Sequence, residues 1–220
     1  MTDKLLPLAE LDRLQQLTER YASYTRSAGG LSTLLGSVLC LVMFTLGLTV
    51  ALDQTARNLL ALLPLLWLLA KELLRRYYYQ RAGAVGERIS ASQNRQHLGA
   101  TLFTALICAL IIGAGIVKFG VGGLLSLPAP RQAYFLIALL MPIVVWRWLW
   151  STSDYVIGVL LLCQAAVIVA GSHYKADWLG LYIVVMSLIY LYVGWKEHRE
   201  YLQLRAELQQ HRRALQGQFA

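Results

Sequence analysis

Long apolar blocks alternate with short polar breaks along most of this chain. Leu31–Leu52 holds 22 positions without a charge, and Leu98–Val117 holds 20. Each is long enough for a helix to cross a hydrocarbon core, since about 20 residues at 1.5 Å rise span roughly 30 Å. Shorter apolar runs occupy Asn58–Ala70, Gln132–Trp146, Tyr155–Ser172 and Trp178–Trp195. The run from Asn58 to Ala70 has only 13 uncharged positions. It reaches spanning length only if Arg57 and Lys71 snorkel, with Pro64 bending it. The pattern predicts an all-α polytopic membrane protein with six spans, at about 31–52, 56–76, 98–118, 132–150, 155–172 and 178–195.

Amphipathic segments flank this 31–195 domain. In residues 1–30, Leu8, Leu11, Leu14, Leu17, Tyr21 and Tyr24 recur at spacings of three and four, and Gly29–Gly30 ends the helix. That helix lies either at the membrane interface or against another cytoplasmic helix. In 196–220, Tyr201, Leu204, Leu208, His211 and Leu215 step by 3, 4, 3 and 4, a heptad seam. So short a helix is marginal alone. It needs the N-terminal helix, a second copy or another protein.

Between the second and third runs lies the basic, aromatic loop 71–97. It carries Lys71, Arg75, Arg76, Arg81, Arg88 and Arg95, six of the twenty Lys and Arg residues. Glu72 and Arg76 are spaced for a helical pair, which predicts that the helix continues through Tyr77, Tyr78 and Tyr79. These tyrosines suit an interfacial belt. Gly83–Gly86 should break the helix, and Glu87–His97 should form a short surface helix. With both termini inside, sixteen cations face the cytoplasm and four face out. The reverse placement would invert that bias. The expected localisation is a plasma membrane of bacterial inner-membrane type, N-in and C-in. The first apolar run is too long for a cleaved signal and should act as an anchor.

Composition sharpens this picture. Hydrophobic residues make up 57% and charged residues 15%, with a mean hydropathy of +0.52. Soluble domains carry about 25% charged residues. The net charge of +8 points to anionic lipid headgroups rather than nucleic acid, because the cations adjoin apolar runs. Cys40, Cys108 and Cys163 each sit inside such a run and read as buried, inert thiols.

Candidate chemistry is sparse. No predicted span carries an ionisable residue near its middle, where proton relays and ion sites lie. Gln164 is the main polar side chain deep in a run, read as an interhelical hydrogen bond. Thr45, Thr104 and Ser187 are expected to bond their own helix backbones. Ser151–Asp154 has the form of a capping box, with Arg147 and Asp154 able to pair across the turn. No metal pair, nucleophile elbow, P-loop or dinucleotide fingerprint is present. No cofactor and no enzymatic activity are expected. Thr101, Ala105, Ala109 and Gly113 form a small-residue ridge suited to helix packing, as do Ala166 and Ala170. Candidate surfaces for lipid or a partner are Arg75, Arg76, Tyr77, Tyr78, Tyr79, Arg81 and Arg88, together with Tyr201, Leu204, Leu208 and Leu215.

The layout of entry helix, six spans and a cytoplasmic loop after span two is similar to that of small ABC-2-type permeases. The heptad tail departs from that plan. The resemblance implies a transport subunit driven by a cytoplasmic ATPase. A membrane scaffold or assembly factor, acting with a cytoplasmic protein or as a homo-oligomer, is the alternative. A lipid-modifying enzyme is the weakest reading.

Overall fold

The computed structural model describes residues 8–49, 53–80, 91–126, 129–169 and 178–218. These are almost entirely helical and contain no strand. The helices are α1 (Leu8–Ser27), α2 (Leu31–Thr49), α3 (Gln54–Ala61), α4 (Leu63–Leu74), α5 (Ala91–Leu125), α6 (Ala129–Trp148), α7 (Thr152–Val169) and α8 (Trp178–Gln218). A π-helical turn, Arg75–Tyr79, extends α4.

By length and composition, two stretches among the described residues are long and apolar enough to cross a membrane, Arg13–Thr49 and Gln93–Lys118. The apolar helices Leu139–Trp148 and Thr152–Ala165 are shorter. The expected second span is broken. Asp53 caps α3 by accepting from the Ala56 amide at 2.9 Å, and the chain turns at Leu62 before Pro64 opens α4. Proline clashes with the carbonyl four residues back, so it begins a helix more easily than it continues one.

Other boundaries also move. The expected surface helix 87–97 is not a separate element in its described part, because α5 runs unbroken from Ala91 past His97. The break at Gly83–Gly86 lies outside the described residues. Gly120, at φ 69°, kinks α5 where the apolar turn-rich stretch begins. The expected sixth span and the polar tail are one helix, α8, of 41 residues. No glycine or proline interrupts it between Lys196 and Ala214, so hydrogen bonding simply propagates.

The core lies between α2, α4, α7 and α8. Cys40 and Met43 of α2, Trp67 of α4 and Ile157 and Leu161 of α7 are buried there. The main crossing is α2 on α8. It depends on Gly30 and Gly194, where a Cβ on Gly194 would lie 2.9 Å from the Gly30 carbonyl oxygen. Gly30 also adopts φ 83°, a conformation in which side chains are strained. With Gly29 and Ala28 it makes the left-handed turn that ends α1. α5 packs chiefly along α6, and the pair flanks the core.

Polarity runs inside out. Leu65, Leu66 and Leu69 of α4, Leu102, Leu106 and Leu110 of α5 and Leu136, Leu139 and Ile143 of α6 are each more than half exposed. Ser32, Ser37, Lys71, Asp154, Gln164 and Ser187 are buried. Thr45 and Thr104 donate to the carbonyls of Leu41 and Ala100, each at 2.8 Å. Ser187 instead faces the Cys40 thiol across the α2–α8 contact. Cys163 is exposed on the outer face of α7, unlike Cys40 and Cys108.

Candidate functional site

The polar chemistry collects at one end of the bundle, where α1 ends, α2 and α7 begin and α4 finishes. Ser151 caps α7, accepting from the Asp154 amide at 3.1 Å. Asp154 therefore stands in the first turn of α7, where a carboxylate suits the helix dipole. Its side chain does not complete the capping box. It turns into the core and forms an ion pair with Lys71 of α4, both side chains being almost fully buried. The second oxygen, Oδ1, accepts from the Ser32 hydroxyl at 2.7 Å. The Ser32 carbonyl in turn accepts from the Trp67 indole at 2.8 Å. The Lys71 ammonium lies 5.8 Å from the centre of the Trp67 ring. Next to Asp154, Ser153 donates to Glu197 of α8 at 2.8 Å. These contacts link α2, α4, α7 and α8.

This corrects the expected pairing of Arg147 with Asp154. Arg147 ends α6 with its side chain exposed, whereas residue 154 has turned into the core. Lys71 is likewise a core residue rather than a loop cation. Neither role was visible locally. Asp154 looked like a cap and Lys71 like a snorkelling boundary lysine. The available signal was that both flank apolar runs at the same expected membrane face.

The second cluster is aromatic. Tyr79, at the end of the π-turn, is fully buried and donates to the Gly29 carbonyl at 2.8 Å. Its ring meets Tyr201 edge-on at 4.6 Å between centroids, and Tyr21 stacks on Tyr201 at 5.5 Å. Tyr24 donates to Glu200 at 2.6 Å. The α1 stripe thus packs on the α8 tail, in the helix-on-helix arrangement. Burial raises the phenol pKa of Tyr79, Tyr201 and Tyr24, the last also through its bond to Glu200. Burial also raises the Glu197 carboxyl, against the Ser153 hydrogen bond, and lowers the His198 imidazole.

The expected surface residues therefore divide. Tyr79 and Tyr201 face the chain itself, because their rings fill the joint between α1, the π-turn and α8. Tyr77 is 66% exposed and Tyr78 37%. Arg75 and Arg76 both bond Glu72, at 2.6 Å and 2.8 Å. Leu204 and Leu208 are half-buried on α8, and His211 is exposed. Arg81, Arg88 and Ala170 lie outside the described residues, as do the side chains of Ala166 and Leu215. Along the α5 ridge, Ala105 is half-buried, Ala109 is exposed and Gly113 has open space where a Cβ would stand.

A third feature lies beside the ion pair. Arg26, Lys71, Glu72, Arg75, Arg147, Trp148 and Trp150 line a cavity of about 240 Å³. The Arg26 guanidinium sits over the Trp150 ring at 4.6 Å, and His97 stacks on the same indole at 4.0 Å. His97 Nε2 lies 3.0 Å from the Trp146 carbonyl, so the start of α5 is pinned to the α6–α7 turn. Arg26, Arg147, Trp150 and His97 were not singled out together by sequence. Arg147 and Trp150 stand three positions apart, but Arg26 and His97 come from two other segments, with no spacing to join them to that pair.

The class these observations define is an all-helical bundle with an apolar exterior, a buried ion pair and a basic, tryptophan-lined cavity at one end. No family model, no curated protein and no solved structure matches this chain.

Proposed function

We propose that this chain is a multi-pass integral membrane subunit, with both termini cytoplasmic, that serves a transport system driven by a cytoplasmic partner such as an ATPase. The observation that carries the membrane part is the inverted polarity. Leucine and isoleucine cover the outside of α4, α5 and α6, while a lysine, an aspartate, a glutamine and four serines are buried. Water-soluble monomers rarely expose apolar patches above a few hundred Å². In this reading α3 and α4 together make the second crossing, and α8 crosses and then continues into the cytoplasm.

The partner part draws on the platform built by α1, the π-turn and the α8 tail. The tyrosine joint couples it to the bundle, so a load on the tail reaches α4 and α7 through Tyr79 and Glu197. The filled core between α2, α4, α7 and α8 favours a second reading, a scaffold that anchors a cytoplasmic protein without moving a substrate.

The test begins with single cysteines in a cysteine-free background. Tyr77→Cys and Leu202→Cys should react with an impermeant thiol reagent only from the cytoplasmic side, and Lys118→Cys only from outside. Labelling of Tyr77→Cys and Leu202→Cys from opposite sides would end the reading. Copurification in mild detergent then separates transport from scaffolding. A nucleotide-hydrolysing partner supports the first, and partners without nucleotide chemistry support the second.

A further inference from the structure

We propose that Glu197 is a proton-binding site that latches the α8 tail: neutral, it holds α8 docked on α1, α2 and α7, and ionised, it loosens that joint. The latch requires neither transport nor scaffolding. Ser187, Tyr190, Gly194, Glu197, Tyr201 and Leu204 step by 3, 4, 3, 4 and 3 along α8, and each is buried or half-buried. They form the stripe by which α8 docks. Gly194 meets the Gly30 carbonyl, and Tyr201 meets the rings of Tyr79 and Tyr21. Glu197 lies between these two contacts, and a Cβ on Gly30 would stand 2.9 Å from the Glu197 Cβ. It is the one carboxylate on the stripe. A helix seam ordinarily carries apolar or small residues, and a polar group placed there weakens docking while making it specific.

The surroundings do not balance a charge at this position. The Ser153 hydroxyl donates to Glu197 at 2.8 Å. No Lys, Arg or His lies within salt-bridge distance of Glu197 among the described residues. From α7 it faces Asp154, and from α4 Lys71, whose charge Asp154 already takes. From α1 it faces Tyr24, which bonds Glu200, and from the π-turn Tyr79. α2 brings no charged residue. On α8 itself, Lys196 and Glu200 pair at 4.0 Å, His198 lies 3.3 Å from the Tyr79 hydroxyl, and Tyr190 stands two turns back. Burial pushes the Glu197 carboxyl above its ordinary range, and Asp154 and Glu200 push the same way against Ser153 and Lys71. A neutral carboxyl keeps the Ser153 bond, because its carbonyl oxygen still accepts, and it ends the repulsion.

Docking therefore favours the protonated form. Each unit by which docking raises this pKa makes the docked state tenfold more favoured at acid than at alkaline pH. The joint is tight below the ordinary carboxylate pKa and loosens as pH rises through the raised one. His198 acts in the opposite sense, since burial favours its neutral form and its protonation loosens the joint from the acid side.

The experiment follows the full chain in neutral detergent by amide exchange and by infrared spectroscopy. Exchange is expressed as protection over residues 197–208, which divides out the intrinsic pH dependence. Glu197→Gln copies the neutral acid and keeps an acceptor for Ser153. The ratio of wild-type to Glu197→Gln protection cancels the share of His198, and should fall about tenfold between about pH 5 and about pH 9. A pH-difference infrared spectrum of the wild-type chain should show a protonated-carboxyl band that Glu197→Gln lacks. Two further variants keep Glu197 and move only the midpoint of that band. Ser153→Ala removes a donor that favours the charged form, so the midpoint should rise. Glu200→Gln removes a repelling charge, so it should fall. Glu207→Gln, exposed further along the tail, should leave it in place. A protection ratio that does not change with pH, or a band that survives in Glu197→Gln, overturns the proposal. So does a midpoint that moves the other way in Ser153→Ala or Glu200→Gln, a reading that holds even if Glu197→Gln fails to fold.

Discussion

Lys71 and Asp154 show how a residue's meaning depends on what faces it. Each stands at the edge of an apolar run, where a charge ordinarily reaches solvent. Here both are buried, with relative exposures of 2% and 0%, and each neutralises the other. Desolvating two ions is costly, and their attraction offsets it only with good geometry and further hydrogen bonds. Ser32 supplies one such bond at 2.7 Å. Removing one partner leaves a buried charge uncompensated. Lys71→Met or Asp154→Leu alone should therefore destabilise the bundle by about 3–5 kcal/mol. The double variant should recover most of that loss. Melting in detergent measures both. A double variant no more stable than the worse single one would show that the pair does not act as a unit.

At the scale of elements, local rules placed some helix ends and tertiary contacts decided their partners. The Ser151 cap, the Glu72–Arg76 pair and the glycine end of α1 were all legible, because each involves groups within four residues. The partner of the α8 seam was not legible. Heptad spacing says that a face must be covered, not by what, and only the packed chain shows α1 there. The α2–α8 crossing depends in the same way on two glycines 164 positions apart. A Cβ at Gly30 would lie 2.6 Å from the His198 amide nitrogen, and would have to hold φ 83°. Gly30→Ala should cost about 3 kcal/mol, combining backbone strain with overpacking. Chemical denaturation in mixed micelles would record it. A change below about 0.5 kcal/mol would mean that α1 and α8 separate freely.

At the scale of the whole molecule, the bundle has a tight part and a loose part. α2, α4, α7 and α8 share the buried core and the polar network. The α5–α6 pair adjoins it at two described polar or aromatic points. These are His97 on Trp150 and Thr104 Oγ1 at 3.0 Å from the Tyr155 hydroxyl, while His97 Nε2 at the Trp146 carbonyl ties α5 to α6. Cys108 of α5 and Met141 and Val145 of α6 also reach the core, but most leucines of the pair are exposed, and few buried contacts mean low local stability. His97→Ala removes a stacked ring and a hydrogen bond, together worth roughly 1–2 kcal/mol. Amide exchange at the start of α5 and in the α6–α7 turn should accelerate about tenfold, with α2 and α8 unchanged. Acceleration across all helices alike would show that His97 serves the entire core.

The amino-acid order by itself determined the helical class, the apolar blocks and a few helix ends, such as the Ser151 cap and the glycine end of α1. Those properties follow from spacing and from interactions within a turn or two. It also determined that the cations collect beside apolar runs, which needs only counting. The tertiary structure alone decided that Asp154 meets Lys71 and not Arg147. It alone placed Tyr79 and Tyr201 in a buried joint, and brought Arg26, Arg75 and Arg147 to one cavity. Those residues come from helices far apart in the chain, and nothing in their local surroundings encodes the distance between them. Side-chain direction at a helix end depends on how neighbouring helices close around it, and that is a property of the packed molecule.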